Sequence, residues 1–190
     1  RESFQIKPGE IDLATFPLFA LFDPALGVTT VFPEMDFTRP GQVDPLKIID
    51  PIQKYNITHM FGSPALLDRV GRYGERHGIK LPTLRRVLSA GAPVSLKILK
   101  RFSAMLPPEA DIHTPYGATE ALPVCSITSR EISKESGTGE GKGVCVGHPI
   151  PGVQLAVIKI TDDPIHTWTD DLISPPGEIG ELVVWGPNVS

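Results

Sequence analysis

Residues 86–106, Arg-Val-Leu-Ser-Ala-Gly-Ala-Pro-Val-Ser-Leu-Lys-Ile-Leu-Lys-Arg-Phe-Ser-Ala-Met-Leu, hold the pattern that decides the fold. The run 86–89, with Val87 and Leu88 at its centre, reads as a strand, and Gly91-Ala92-Pro93 breaks it. Ser95 then offers a hydroxyl to cap a helix, with Leu96, Leu99, Phe102 and Leu106 on its inward face until Pro107 and Pro108 stop it. Strand, loop and helix in that order make half of a βαβ unit. The same rhythm recurs upstream, with strands expected at 11–16, 28–32 and 57–61, and a further one at 111–113. A helix is expected from Asp44 as cap and Pro45 as first residue, with Leu46, Ile49 and Ile52 inward and a kink or restart at Pro51. Another spans 65–77, with Leu66, Leu67, Val70 and Tyr73 on one face and Gly78 as its stop. Repeated strand and helix predict an α/β domain with a parallel sheet wrapped by helices.

After residue 120 the rhythm changes. Runs 124–128, 153–160 and 181–185 look like strands with no helix between them, which predicts a second, all-β element. Between the two regions, 129–147 is polar and carries Gly137, Gly139, Gly141, Gly143 and Gly147, so it reads as a flexible loop. The expected division is an α/β unit over 1–128, a Gly-rich loop over 129–147 and a partial β-rich unit over 148–190. The chain opens on Arg1 and stops at Ser190 just after a strand-like run, which reads as a piece of something longer.

Composition narrows the functional classes. The 190 residues are 41% hydrophobic and 21% charged, ordinary globular values. A net charge of −4 gives no basic field for a phosphate backbone, so nucleic acid is not an expected partner. The most apolar stretch, 13–22, is broken by Pro17 and is too short to cross a bilayer; it reads as buried core. Cys125 and Cys145 have no paired spacing, which fits a reduced, cytoplasmic compartment. Nothing in the sequence signals an oligomeric state.

Several familiar chemistries fail on spacing. Gly141-Lys142 suggests a phosphate loop, but Ser136 stands where the first glycine belongs and Gly143 where a hydroxyl belongs. The five histidines show no paired helical spacing and neither cysteine stands beside one, so no zinc site is expected. Gly62-Ser63-Pro64 lacks the second glycine of a nucleophile elbow. Two loops remain, Gly91-Ala92-Pro93 and Thr114-Pro115-Tyr116-Gly117-Ala118-Thr119-Glu120, each following a strand of the parallel set. In such sheets, ligands bind outside the carboxyl ends of the strands. Gly91 and Ala92 admit a flat ligand close to the backbone. Tyr116 offers a stacking ring, Thr119 a hydroxyl for a phosphate oxygen, and Glu120 a hard carboxylate suited to Mg²⁺. These features describe a nucleotide site, although turn glycines, a core tyrosine and a solvated glutamate would fit the same residues.

Tyr116-Gly117-Ala118-Thr119-Glu120 matches the Tyr-Gly-x-Thr-Glu motif of the adenylate-forming superfamily, which includes acyl-CoA synthetases, luciferases and peptide-synthetase adenylation domains. Gly91-Ala92-Pro93 resembles that family's Gly-Ala-Pro loop. Gly143-Val-Cys-Val-Gly147-His-Pro149-Ile-Pro151-Gly152 resembles its Gly-x-x-Gly-x-Pro-x-Pro-Gly stretch, and Gly180-Glu181-Leu182-Val-Val-Trp-Gly186-Pro187 its Gly-Glu-Leu-x-x-x-Gly strand. The four motifs stand in family order. The resemblance implies a flavodoxin-like parallel-sheet subdomain followed by part of a β-rich subdomain, ATP and Mg²⁺ as cofactors, and a small carboxylic acid as substrate. It implies that Tyr116 and Gly117 contact adenine, that Gly91, Ala92 and Pro93 run along the base and acyl pocket, that Thr119 touches the α-phosphate and that Glu120 holds the metal.

Finer features, Cys145-Val-Gly147, Pro164-Ile-His-Thr-Trp168 and Gly177-Glu178-Ile179-Gly180-Glu181, look most like the β-lactone synthetases of bacterial olefin biosynthesis. Long-chain fatty acyl-CoA ligases are the other close likeness. Pro17-Leu18-Phe19-Ala20 stands where many acyl-CoA synthetases carry Pro-Leu-Phe-His, which puts CoA in doubt as second substrate. The family's phosphate loop would precede Arg1, and its ribose aspartate and catalytic lysine would follow Ser190. The resemblance therefore implies that this chain alone is inactive. From another class, a stand-alone flavodoxin-like module would bind FMN or a nucleotide without chemistry.

Overall fold

Register across the sheet sets the rest of the architecture. In the computed structural model, which describes residues 2–134 and 143–190, the parallel strands are β1 (Ile11–Leu13), β2 (Thr29–Val31), β3 (His59–Phe61), β4 (Arg86–Leu88) and β5 (Asp111–Ala118). Two antiparallel strands, β6 (Ala121–Thr128) and β7 (His148–Pro149), extend the sheet to the order β2-β1-β3-β4-β5-β6-β7. Strand β2 forms one edge. A separate antiparallel pair, β8 (Gln154–Ile158) and β9 (Glu181–Trp185), lies outside this sheet.

Leu13, Met60, Val87 and Ile112 stand in register on neighbouring strands, and all are fully buried. Over them pack α3 (Leu46–Tyr55), α4 (Pro64–His77) and α5 (Leu96–Ser103), following two short helices, α1 (Pro17–Ala20) and α2 (Asp23–Leu26). Ile48, Ile49 and Ile52 from α3, Leu66, Leu67 and Val70 from α4, and Leu99 and Phe102 from α5 complete one core. Their spacing of three and four residues turns each set to one face. The Ser95 cap and the Gly78 stop follow the sequence: Ser95 accepts from Ile98 N, and Gly78 closes α4 in the left-handed conformation, while Ser63, accepting from Leu66 N, caps a helix that starts one residue earlier than expected.

Side chains alternate across a strand, so the neighbouring row points to the opposite face. That row is polar: Thr30, Asp12, His59, Arg86 and Asp111 align across five strands. Glu10 beside it ion-pairs with Arg86 at 2.8 Å. Burial pushes Glu10 upward, but the Arg86 hydrogen bond and charge, together with His59, hold its carboxyl below the usual range. Burial pushes the His59 imidazole down, so it is neutral at pH 7. Burial, reinforced by the charge and hydrogen bond of Asp23, raises Asp12 to about 8. Two such carboxyls in a dry interior cannot both be charged without further compensation.

Four expectations change. Helix α3 runs through Pro51, an interior position at which the missing N–H removes one bond of the ladder, and burial of Ile48, Ile49 and Ile52 on either side holds the helix together; Pro45 rather than Asp44 takes the cap position. Asp44 still accepts from Leu46 N at 3.1 Å. The stretch 13–22 is not uniformly core: Leu13 and Ala14 are buried, but Leu18, Leu21 and Phe22 are 58%, 72% and 62% exposed. Pro17 starts one one-turn helix and Pro24 is the second residue of another, and elements that short cannot turn a whole apolar face inward. Strand 124–128 belongs to the main sheet as β6 instead of a second all-β element. Finally, 129–134 of the expected loop is a helix, α6 (Ser129–Lys134), whose start is fixed by Glu131 accepting from Thr128 N at 2.8 Å. Residues 135–142, including Gly137, Gly139 and Gly141, lie outside the described residues.

Phe102 fills the centre of the helix layer, so Phe102→Ala is expected to cost about 3–5 kcal/mol, read as a lower denaturant midpoint at unchanged slope. Between α4 and α5, Asp68 pairs with Arg72 at 2.6 Å and Arg101 at 2.8 Å. The Arg72 hydrogen bond, with Arg101 in support, holds the Asp68 carboxyl below its ordinary value. Its contribution is therefore present above the unfolded value and lost as pH falls through the folded one. Urea midpoints measured from pH 7 to pH 2 should fall less steeply for Asp68→Asn than for the unmodified chain.

Candidate functional site

Strands β4 and β5 are adjacent and parallel, with Leu88 opposite His113 and Ser89 N donating to His113 O at 2.9 Å. Both chains therefore leave the sheet at the same edge. From β4 emerge Gly91, Ala92 and Pro93, all exposed, with Gly91 at φ +89°, a conformation that side-chain-bearing residues rarely adopt. From β5 emerge Tyr116, Gly117, Thr119 and Glu120. The two sequence motifs thus share one edge, as the topology rule requires.

The second segment is not the loop expected from the sequence. Strand β5 continues through Tyr116 and Gly117 to Ala118, and Thr119-Glu120 is the two-residue turn of a hairpin that returns as β6. A turn that short allows only an antiparallel return. Pairing places Tyr116 opposite Cys125 and Ala118 opposite Ala121, with a register shift between them. Gly117 sits at that shift: a Cβ there would lie 2.4 Å from the carbonyl oxygen of Ala121. The hairpin closes because this residue has no side chain.

Tyr116 is 43% exposed and Thr119 and Glu120 are exposed, so ring, hydroxyl and carboxylate all face outward from a rigid ladder. Among the described residues the Glu120 side chain joins no ion pair; it offers an uncommitted oxygen donor, the kind a hard divalent cation takes. Its backbone carbonyl is engaged, accepting from Ser190 N at 2.9 Å, and Val189 bridges to Ala121. That contact was not legible in the sequence, because it joins positions 70 residues apart. Val94, Ser95 and Leu96, continuing from the first loop, line a cavity of about 260 Å³ with Ile132, Gly143, Val144 and Cys145. A larger hollow of about 540 Å³ lies elsewhere, between β2 and α3, so concavity alone does not mark the site.

A family model described as "AMP-binding enzyme" matches residues 16–190. The chain belongs to that family. An olefin β-lactone synthetase of Stenotrophomonas maltophilia is 44% identical over 189 residues, 99% of this chain and 34% of the relative. The olefin β-lactone synthetase of Xanthomonas campestris pv. campestris is 43% identical, again with 34% of its length covered. A long-chain-fatty-acid–CoA ligase of Salmonella typhimurium is 26% identical over 190 residues. This AMP-binding chain therefore spans about a third of the length of the curated relatives it matches. Among solved structures, the o-succinylbenzoate coenzyme A synthetase of Bacillus subtilis, in complex with ATP and magnesium ion, superposes with a TM-score of 0.71 at 20% identity, over 99% of this chain and 35% of that one. The N-terminal domain of FACL13 from Mycobacterium tuberculosis gives 0.71 at 19% identity over 97% of this chain and 42% of that one. At those identities the likeness is one of fold.

Gly117→Ala in this AMP-binding chain is expected to lower stability by about 1–3 kcal/mol through the clash at Ala121. The denaturant midpoint measures this, and Ala118→Gly on the same turn gives the comparison for a change that adds no atom.

Proposed function

We propose that the chain is the central part of an ATP-dependent, AMP-forming acid-activating enzyme whose substrate is a fatty acid, specifically a 2-alkyl-3-hydroxy fatty acid converted to a β-lactone. One observation carries the reading: the Gly91–Pro93 and Tyr116–Glu120 segments leave neighbouring parallel strands at one edge. Family membership and the two olefin β-lactone synthetase relatives support the same reaction class and do not favour a stand-alone flavodoxin-like FMN module.

In this reading a carboxylate oxygen of the acid attacks the α-phosphorus of ATP, the bond to the β,γ-phosphates breaks, and acyl-adenylate and pyrophosphate result. Tyr116 stacks on adenine, while Gly117 keeps the strand close enough for the ring to lie flat. The Gly91, Ala92 and Pro93 backbone borders the base and the acyl group. Thr119 donates its hydroxyl to an α-phosphate oxygen, where negative charge grows during attack. Glu120 would hold Mg²⁺, and its outward, ion-pair-free carboxylate fits that role. When bound, the metal supplies charge neutralisation at the phosphate oxygens.

The second step follows from the substrate's own 3-hydroxyl. Its oxygen attacks the activated carbonyl carbon, its proton passes to solvent water, and the acyl–phosphate bond breaks to release AMP, which keeps the bonding pair, and a four-membered lactone. Ala20, which is 7% exposed, stands where many acyl-CoA synthetases carry histidine, and this departure supports lactone over CoA thioester. No described helix is long and apolar enough to cross a membrane.

In the full-length parent, Glu120→Gln is expected to reduce acid-dependent ATP–pyrophosphate exchange roughly 10²–10³-fold, and Tyr116→Ala mainly to raise KM for ATP. The 190-residue chain alone is expected to show no exchange. Extraction of products from the parent supplied with a 2-alkyl-3-hydroxy acid should give β-lactone, with no thioester when CoA is added. Thioester as the main product would reassign the enzyme as a fatty acyl-CoA ligase.

A further inference from the structure

At the end of the sheet away from the nucleotide motifs, three acceptors from separate elements meet. Asp12 lies on β1, His59 begins β3, and Asp23 is the first residue of α2. They are 7%, 4% and 5% exposed. The His59 Nε2 atom lies 3.6 Å from Asp12 Oδ1, and one ligand atom from each of the three lies within 4.8 Å of the others. Two ligands at about 2.05 Å from a tetrahedral zinc stand roughly 3.3 Å apart, so little movement would bring these donors onto one ion.

An outer layer holds each donor in place. His59 Nδ1 faces Glu10 Oε2 at 3.1 Å, and Glu10 is fixed in turn by Arg86 at 2.8 Å. Donation from Nδ1 to Glu10 leaves Nε2 as a lone pair aimed at the carboxylates. This carboxylate–histidine arrangement is the one that orients imidazole ligands in metal sites. The Thr30 hydroxyl donates to Asp23 Oδ2 at 2.6 Å and fixes the second carboxylate. Among the described residues, the one guanidinium paired with these three buried carboxyl groups, Glu10, Asp12 and Asp23, is that of Arg86, and it sits on Glu10, leaving Asp12 and Asp23 side by side at the centre without a cation between them.

We propose that Asp12, Asp23 and His59 bind one Zn²⁺ ion, with Glu10, Arg86 and Thr30 as outer support. A mixed imidazole and carboxylate set suits zinc, with the second oxygen of Asp12 or one water completing the four positions, whereas Mg²⁺ prefers an all-oxygen set with several waters. The ion is structural. It ties the four-residue helix α2, and with it the exposed turn carrying Phe19, Leu21 and Phe22, to the two strands beneath. A local spacing rule misses such a site because its ligands are assembled by strand pairing. A proton shared between Asp12 and Asp23 is the rival occupant.

The test is a titration of the chelator-stripped chain with Co²⁺, a spectroscopic stand-in for zinc. The expected result is one equivalent bound with the visible bands of a four-coordinate site, displaced by one equivalent of Zn²⁺, and a higher unfolding temperature with Zn²⁺ present. His59→Gln, Asp23→Asn and Asp12→Asn should each weaken Co²⁺ at least tenfold, and Glu10→Gln about 10–100-fold. Glu120→Gln should leave the spectrum unchanged. Absence of stoichiometric Co²⁺ binding by the folded, unmodified chain overturns the proposal and leaves the shared proton in possession. Binding that survives His59→Gln and Asp23→Asn together overturns it as well. The unmodified chain decides the matter even if a variant fails to fold, with far-UV circular dichroism as the check.

Discussion

Burial of the row Leu13, Met60, Val87 and Ile112 under α3, α4 and α5 is the constraint on which the remaining architecture rests. A slip of one residue in any strand would turn its apolar member away from the helices and a polar one into them. Holding register also holds the strand ends level. The Gly91–Pro93 and Tyr116–Glu120 segments are thus neighbours as a consequence of core packing, before any ligand is considered.

The same alternation that builds the core produces its opposite on the reverse face. With Leu13 and Met60 facing the helices, Asp12 and His59 face the other way, and because they pair in register they meet. The sheet therefore carries two chemically separate regions. Its carboxyl edge presents outward, uncommitted groups on a stiff hairpin. The charged row is enclosed and held by a chain of contacts from Arg86 through Glu10 to His59.

Much of this was legible in the sequence because it depends on local period and local caps. Ser95 and Gly78 mark helix ends in both sequence and structure, whereas the cap at Ser63 emerges only in the structure. The motif residues were legible as a pattern, and their shared edge followed from parallel topology. The hairpin was missed because Pro115 and Gly117 read as loop residues, whereas strand β5 tolerates the proline and needs the glycine for the close approach of β6. The contact of Ser190 with Glu120 and the meeting of Asp12, Asp23 and His59 join positions far apart in the chain. No window of sequence contains them. The apolar stretch 13–22 misled for a different reason: hydrophobicity predicts burial only when an element is long enough to choose a face, and α1 and α2 are each four residues long.

Strand β2, at the margin of the sheet, has no strand neighbour on one side among the described residues. Such a margin is a template on which another chain could grow a further strand. Here the template is only three residues long, and Pro33, which has no N–H to offer, follows almost at once. Charged Glu34 and Lys47 pair beside it. The open parallel flank seen among the described residues is thereby guarded against runaway sheet extension, a safeguard built from brevity, an imino acid and charge.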